Sequence, residues 1–337
     1  MSLVSGLIAL GTTVLLSPVV LWLLERLRLV DTPNYRSLHD KPTPRGGGLA
    51  VLGGAVVGLV LQPQRVGLTA LLAGALAFGI LGFADDVRGI PAIGKLLMQG
   101  LITAGLLPSL IGSVSGSAAL RVAVACLVLL WIVSFVNAFN FMDGINGISA
   151  TQALIAGGYW FFLGTVENVP ELAVGGLVIA GAALGFAPFN FPRALMFLGD
   201  VGSYFIGAWM AILVVIGIRA GLVLEAVLAP VALYLADTFL AIVRRVRRGE
   251  RWHEAHRDHV YQRLVALGWS HTRTTGFVGI VVLACSAIGA VTLVVQPQAL
   301  RVLADAAIVS LLGAYLLSPA LVKRRRFPSS PSISPMG

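Results

Sequence analysis

Two aspartates side by side, Asp85 and Asp86, close the apolar run in GFADDVRGIPAIGKLLMQ, with Lys95 just downstream. Adjacent carboxylates repel one another unless a cation or a proton intervenes. Ionisable groups at the end of an apolar segment mark a functional site by default. A second segment reads NAFNFMDGING, in which Asn137, Asn140 and Asp143 recur at three-residue steps and Asn146 follows. A helix end places such residues on one face, and amides offer both donors and acceptors to a base or a sugar amide. The third segment, FLGDVGS, sets Asp200 between glycines immediately before another apolar run. Asp200 suits a helix N-cap as readily as a hard cation, since Mg2+ takes one or two carboxylates plus substrate phosphates.

Two basic segments complete the inventory. The stretch from Arg244 to Arg273 holds His256, Arg257, His259 and Arg263. The histidines sit three apart without a third ligand spaced beside them, which favours diphosphate contact or proton transfer over zinc. HDKPTPRGGG places Lys41 and Arg45 before three glycines; no G-K-[ST] follows, so this is not a Walker loop. Four acids with lysines, arginines (Arg193 among them) and histidines suit metal-assisted chemistry on phosphate oxygens. No Ser–His nucleophile pair is evident.

The elements that carry these groups are apolar helices. The 337 residues are 57% hydrophobic and only 12% charged, against about 25% charged in soluble domains, so lipid rather than water solvates most of the chain. Eleven runs approach the roughly 20 apolar residues a spanning helix needs: 3–24, 46–63, 66–84, 93–111, 118–137, 148–165, 171–188, 201–218, 222–243, 275–295 and 299–319. The expected fold is all-α, a polytopic bundle of about eleven transmembrane helices forming a single domain over residues 1–326, with a disordered Pro/Ser-rich tail at 327–337. The apolar run from Leu3 to Leu24 has no basic residue before it and exceeds a signal core, so no cleavable signal is expected. Cys126 and Cys285 both lie in apolar runs and read as small core hydrophobes.

Charge sets the sides. If the motif-bearing loops and the tail share one side, 20 of the 24 lysines and arginines lie there, and only Arg65, Arg121, Arg219 and Arg301 lie opposite. The positive-inside rule then places the N-terminus outside and the C-terminus in the cytoplasm. It also explains the net charge of +9 without nucleic acid. A secondary transporter is the competing function; its acids belong near the bilayer midplane, whereas these close cytoplasmic helix ends. CDP-alcohol transferases carry a D-x-x-D-G-x-x-A-R run that is absent here. A non-catalytic assembly factor would not need four carboxylates on one side.

HDKPTPRGGG, GFADD with KLLMQ, NAFNFMDGINGIS, FLGDVGS and HRDHVYQRL occur in this order between Asp31 and Leu264. In that order the chain resembles the polyprenyl-phosphate N-acetylhexosamine-1-phosphate transferases, glycosyltransferase family 4, which include phospho-MurNAc-pentapeptide translocase. The resemblance implies Mg2+ or Mn2+, a UDP-linked N-acetylamino sugar, undecaprenyl phosphate, and a multi-pass enzyme of the bacterial inner membrane with a cytoplasmic site; a homodimer is compatible with it. It implies that Asp85 and Asp86 match the family's aspartate pair, the first as base on the lipid phosphate. Asp200, with Asp86, matches the metal ligand, Asn140 and Asp143 lie near nucleotide and metal, Lys95 lines the cleft, and His259 opens the late-loop motif. Lys41, Arg45, Asn137, Asn146, His256, Arg257 and Arg263 are the remaining expected substrate contacts. Val260-Tyr261-Gln262 stands where common-antigen enzymes carry further histidines. That variant looks closer to initiators of O-antigen synthesis than to the peptidoglycan translocase.

Overall fold

The computed structural model describes residues 2–33, 38, 41–61, 68–112, 116–250, 258–294 and 298–326. His256, Arg257 and the 327–337 tail lie outside the described residues. The chain runs as α1 (Ser2–Arg26), β1 (Val30–Asp31), β2 (Thr43–Pro44), α2 (Gly48–Val60), α3 (Thr69–Arg88), α4 (Ala92–Ile111), α5 (Ala118–Met142), α6 (Ile148–Val166) and α7 (Pro170–Asn190). It continues as α8 (Gly199–Arg219), α9 (Leu224–Leu228), a 3-10 turn (Ala229–Val231), α10 (Ala232–Arg247), α11 (Val260–Ala266), α12 (His271–Val294) and α13 (Gln298–Arg326).

Ten of the eleven apolar runs each fall on one helix, and the run 222–243 is divided. Among the described residues nine helical stretches, with Leu224–Arg247 counted as one, are long and apolar enough to cross a membrane, so this is a multi-pass membrane protein. The remaining two runs correspond to α2 and α6. With 13 residues α2 extends about 20 Å, short of a hydrocarbon core of about 30 Å; α6, at 19 residues, is not among the nine.

At the centre stands α8, where Tyr204, Phe205 and Trp209 are fully buried. It packs against α3 and α5, while α7 packs against both α1 and α6. Small residues permit this: a Cβ on Gly157 of α6 would lie 2.5 Å from the Gly176 carbonyl of α7, which is how backbones approach closely where lipid gives helices no hydrophobic drive to associate.

The run 222–243 is not one helix. Pro230 lacks a donor and breaks it into α9, the 3-10 turn and α10. Carbonyls freed by a break cannot turn to water inside a bilayer and need partners from neighbouring helices. Side chains of α6 supply them: Gln152 Nε2 donates to Pro230 O at 2.7 Å, Trp160 Nε1 to Val227 O at 3.1 Å and Tyr159 OH to Ala226 O at 2.9 Å.

The all-α expectation also omits one short hairpin. Strands β1 and β2 pair antiparallel, Val30 with Pro44 and Asp31 with Thr43. The chain leaving β2 then docks on the segment before α8: Phe197 N–H donates to Pro44 O at 2.8 Å, and Gly47 and Gly48 donate to Phe197 O and Leu198 O at 2.9 and 2.8 Å. This pairing carries Arg45 to the start of α8.

Candidate active site

The N-terminus of α8 organises the site. Its cap position is Leu198, which has no side-chain acceptor. The first backbone N–H groups of a helix need one, and Asp86 at the end of α3 provides it. Asp86 Oδ1 accepts from Asp200 N–H and Oδ2 from Val201 N–H, both at 2.9 Å. Such an approach requires bare backbone, because a Cβ on Gly82 would collide with the Asp200 carbonyl. The Arg45 guanidinium then spans two acids, with Nε 2.8 Å from Asp86 Oδ1 and Nη2 2.8 Å from Asp200 Oδ1. Both Asp86 oxygens are thus engaged in holding the site together.

Asp85 points the other way. Its Oδ1 accepts from Ile90 N–H at 2.9 Å, and its Oδ2 meets Lys95 Nζ at 2.9 Å and Tyr204 OH at 3.2 Å. Tyr204, on the turn of α8 after Asp200, brings Asp85 to the same helix end. Asn140 Nδ2 donates to Asp200 Oδ1 at 2.9 Å and to Ser203 Oγ at 2.8 Å. Asp85, Asp86, Asn140, Asp200, Arg45 and Lys95, drawn from five separate stretches of sequence, therefore meet in one cleft.

Asp143 caps the end of α5 and accepts from Ser149 Oγ at 2.7 Å. The residue reaches the surface in part, but its carboxyl lies within the cleft. Burial pushes that carboxyl up to about 7, against the Ser149 hydrogen bond and with added repulsion from Asp200. Burial works against the charge of Arg45, but Asp200, Asp86 and Asp31 outweigh it and hold the guanidinium firmly protonated.

Other expected residues serve different neighbours. Asn137 Nδ2 donates to Gln99 Oε1 at 2.6 Å. Asn146 ties its turn to neighbouring segments: Nδ2 donates to Pro192 O at 3.1 Å, and its carbonyl accepts from Thr275 Oγ1 at 2.8 Å. Lys41 is exposed beside the hairpin, and Arg263 is half-buried on α11. His259 is buried at 2% exposure between the rings of Phe141 and Tyr261, 6.2 and 5.8 Å away by centroid. Its Nδ1 lies 3.2 Å from Asp237 Oδ1. A proton on Nδ1 leaves Nε2 as the acceptor.

Asp237 is a group the sequence reading missed. It lies on α10 at 1% exposure, accepts from Val260 N–H at 3.0 Å and from Tyr315 OH at 2.7 Å, and so joins α10, α11 and α13. The available signal was a carboxylate inside an apolar run, which is costly in lipid. Tyr204 and Gln99 were missed too.

A groove of about 850 Å3 runs from this cleft between α4, α5 and α10. Lys95, Asn137, Asn140 and Tyr204 line it, and aliphatic side chains including Leu130, Leu235 and Ile242 form much of its wall.

The family model described as Glycosyl transferase family 4 matches residues 68–218, from the start of α3 to the end of α8. The chain is 34% identical over 313 residues to the decaprenyl-phosphate N-acetylglucosaminephosphotransferase of Mycobacterium tuberculosis (strain ATCC 25618 / H37Rv), covering 80% of this chain and 76% of that one. It is 29% identical over 289 residues to a Bacillus subtilis (strain 168) protein named "Probable undecaprenyl-phosphate N-acetylglucosaminyl 1-phosphate transferase", covering 80% and 78%. A shorter match, 32% over 195 residues, covers half of this chain and 60% of the phospho-N-acetylmuramoyl-pentapeptide-transferase of Latilactobacillus sakei subsp. sakei (strain 23K). With the matched region containing the Asp85–Asp86 pair, Asn140, Asp143 and Asp200 that build the cleft, the chain belongs to glycosyl transferase family 4, as a polyprenyl-phosphate sugar-1-phosphate transferase.

Proposed function

We propose that the protein transfers an N-acetylamino-sugar-1-phosphate from a UDP-sugar to undecaprenyl phosphate, releases UMP, and so initiates a lipid-linked cell-surface polysaccharide of the O-antigen type. The observation that carries this reading is the junction of an apolar groove with a cleft of facing carboxylates flanked by Lys95 and Arg45. A long prenyl chain suits the groove, and its phosphate suits the cationic mouth. Relatives that act on undecaprenyl or decaprenyl phosphate with N-acetylglucosamine, by their names, support the same substrates.

In the reaction an oxygen of the lipid phosphate attacks the sugar-bearing phosphorus of the UDP-sugar. A new P–O–P bond forms, the bond to the uridine-side phosphate breaks, and UMP leaves with the electron pair. Asp85 takes the proton from a protonated lipid phosphate, held in place by Lys95, Tyr204 and the Ile90 N–H. Lys95 and Arg45 stand ready to bind phosphate oxygens as the charge moves between them.

Among the described residues no three His, Cys, Asp or Glu side chains lie close enough to chelate a metal by themselves. Mg2+ keeps waters and binds through one or two carboxylates with substrate phosphates. Asp200, presented by Asn140, is the residue to hold it. When bound, Mg2+ neutralises the diphosphate. The 20-to-4 division of basic residues supports a cytoplasmic site in the inner membrane, with the N-terminus outside. The deciding experiment is incubation of the purified protein with undecaprenyl phosphate, Mg2+ and a panel of UDP-sugars, scoring UMP. No UMP with any UDP-N-acetylamino sugar would sink the proposal.

A further inference from the structure

The geometry points to Arg45 as a counter-ion of the Asp86–Asp200 pair that competes with a divalent cation for Asp200. This inference rests on the reading of Asp200 as the metal-holding residue. The same oxygen, Asp200 Oδ1, takes both Arg45 Nη2 at 2.8 Å and Asn140 Nδ2 at 2.9 Å. Oδ1 is filled by these two donors, and a divalent cation approaching the other Asp200 oxygen meets the charge of the guanidinium beside it. Asn140 is neutral and also bonds to Ser203; Arg45 is the competing charge.

Three features make the release of Arg45 feasible. Its side chain is 37% exposed, whereas Asp86 and Asp200 are 5% and 17% exposed, so the guanidinium can swing while the acids stay fixed. Asp86 does not depend on Arg45 alone, because the Asp200 and Val201 N–H groups continue to bind it. The segment bearing Arg45 is anchored through its backbone, with Arg45 N–H donating to Leu29 O at 2.9 Å and Gly46 and Gly47 to Phe197 O. Movement is thereby confined to the side chain. A diphosphate entering with its cation offers the freed guanidinium a bidentate anion. Cation binding and nucleotide binding then assist one another, since each removes what opposes the other.

The test uses the full-length protein in detergent, without substrates, and Mn2+ as the probe, followed by electron paramagnetic resonance. Arg45→Gln removes the charge; Arg45→Lys keeps it but cannot bridge two carboxylates. Both variants are expected to bind Mn2+ more tightly than wild type, Arg45→Gln by on the order of tenfold and Arg45→Lys by less. Asp200→Asn is expected to lose the site. If Asp200→Asn loses the site while neither Arg45 variant tightens it, the counter-ion role is overturned and the metal reading stands. If only Arg45→Gln tightens, bulk charge rather than bridging is responsible, and the inference again fails. If Asp200→Asn binds Mn2+ as wild type does, both the metal reading and the inference fall. Thermal melting with EDTA and then Mg2+ gives a second reading: Mg2+ stabilises the Arg45 variants more than wild type, and an equal or smaller stabilisation counts against the inference.

Discussion

Lys95 Nζ lies 2.9 Å from Asp85 Oδ2, tying the first turn of α4 to the last turns of α3. The pair holds the Asp85 carboxyl against Lys95, which lines the groove, and that is the placement a base acting on a lipid phosphate requires. Asp85→Asn is expected to lower kcat by about 100-fold or more, the usual worth of a general base, with little change in KM. Because a phosphate monoester loses its second proton at about pH 6, the defect narrows as pH rises above that value. A pH–rate profile beside wild type checks this; a defect of equal depth throughout favours a role in metal or phosphate binding instead.

The bonds from Asp237 to His259, Val260 and Tyr315 predict that the late loop depends on α10 and α13 for its placement. Tyr315→Phe removes one hydrogen bond and is expected to cost about 1 kcal/mol of stability while sparing most activity. Asp237→Asn leaves the shape but frees the His259 ring to change tautomer. It is expected to reduce kcat more than tenfold and to alter its pH dependence. Melting curves and kinetics on both variants separate a loss of fold from a loss of orientation.

At the break in the ninth apolar run, Gln152→Leu strands the Pro230 carbonyl that Gln152 now satisfies. Hydrogen bonds between helices in lipid contribute about 1–2 kcal/mol, so the variant melts several degrees lower. An unchanged melting temperature would show that another donor reaches that carbonyl.

Burial raises Asp143 to about 7, above its ordinary value of 3.8. The folded protein therefore holds a proton that the unfolded chain has released across that window, and stability declines as pH rises through it. Asp143→Asn removes this contribution. Metal-free wild type loses melting temperature as pH rises from 3.8 to about 7, and the variant loses less.

Orientation is open to a direct check. Ser270 is exposed just before α12. Ser270→Cys in a background lacking Cys126 and Cys285 is expected to react with an impermeant maleimide only from the cytoplasmic side. Labelling from outside would reverse the topology and the route of the nucleotide.

Much of this architecture was legible because lipid imposes a simple code. Apolar runs marked every long helix, and polar residues at run ends marked Asp85, Asn140 and Asp200, which the fold unites. What stayed hidden were relationships over long sequence separation. Nothing local distinguishes Asp86 from Asp85, yet one caps a helix 114 residues away and the other faces Lys95. The break at Pro230 was masked by the continuous hydropathy around it, although a proline inside an apolar run is itself a warning. Asp237 was passed over as part of the same run. Asn146, read as a substrate contact, also joins loops, because amides satisfy backbone as readily as ligands.

The docking of residues 44–48 onto 197–198, and of Asp86 onto the first turn of α8, also governs how the protein is made. Arg45 and Asp86 leave the ribosome long before Asp200 exists. At about 5–20 residues per second, the 114 residues between Asp86 and Asp200 take roughly ten seconds to synthesise. Through that interval α2 and α3 are inserted with their catalytic ends unfinished, and the carboxylate and guanidinium wait at the membrane surface for a helix still being translated. The cleft is thus assembled late and all at once, when α8 arrives.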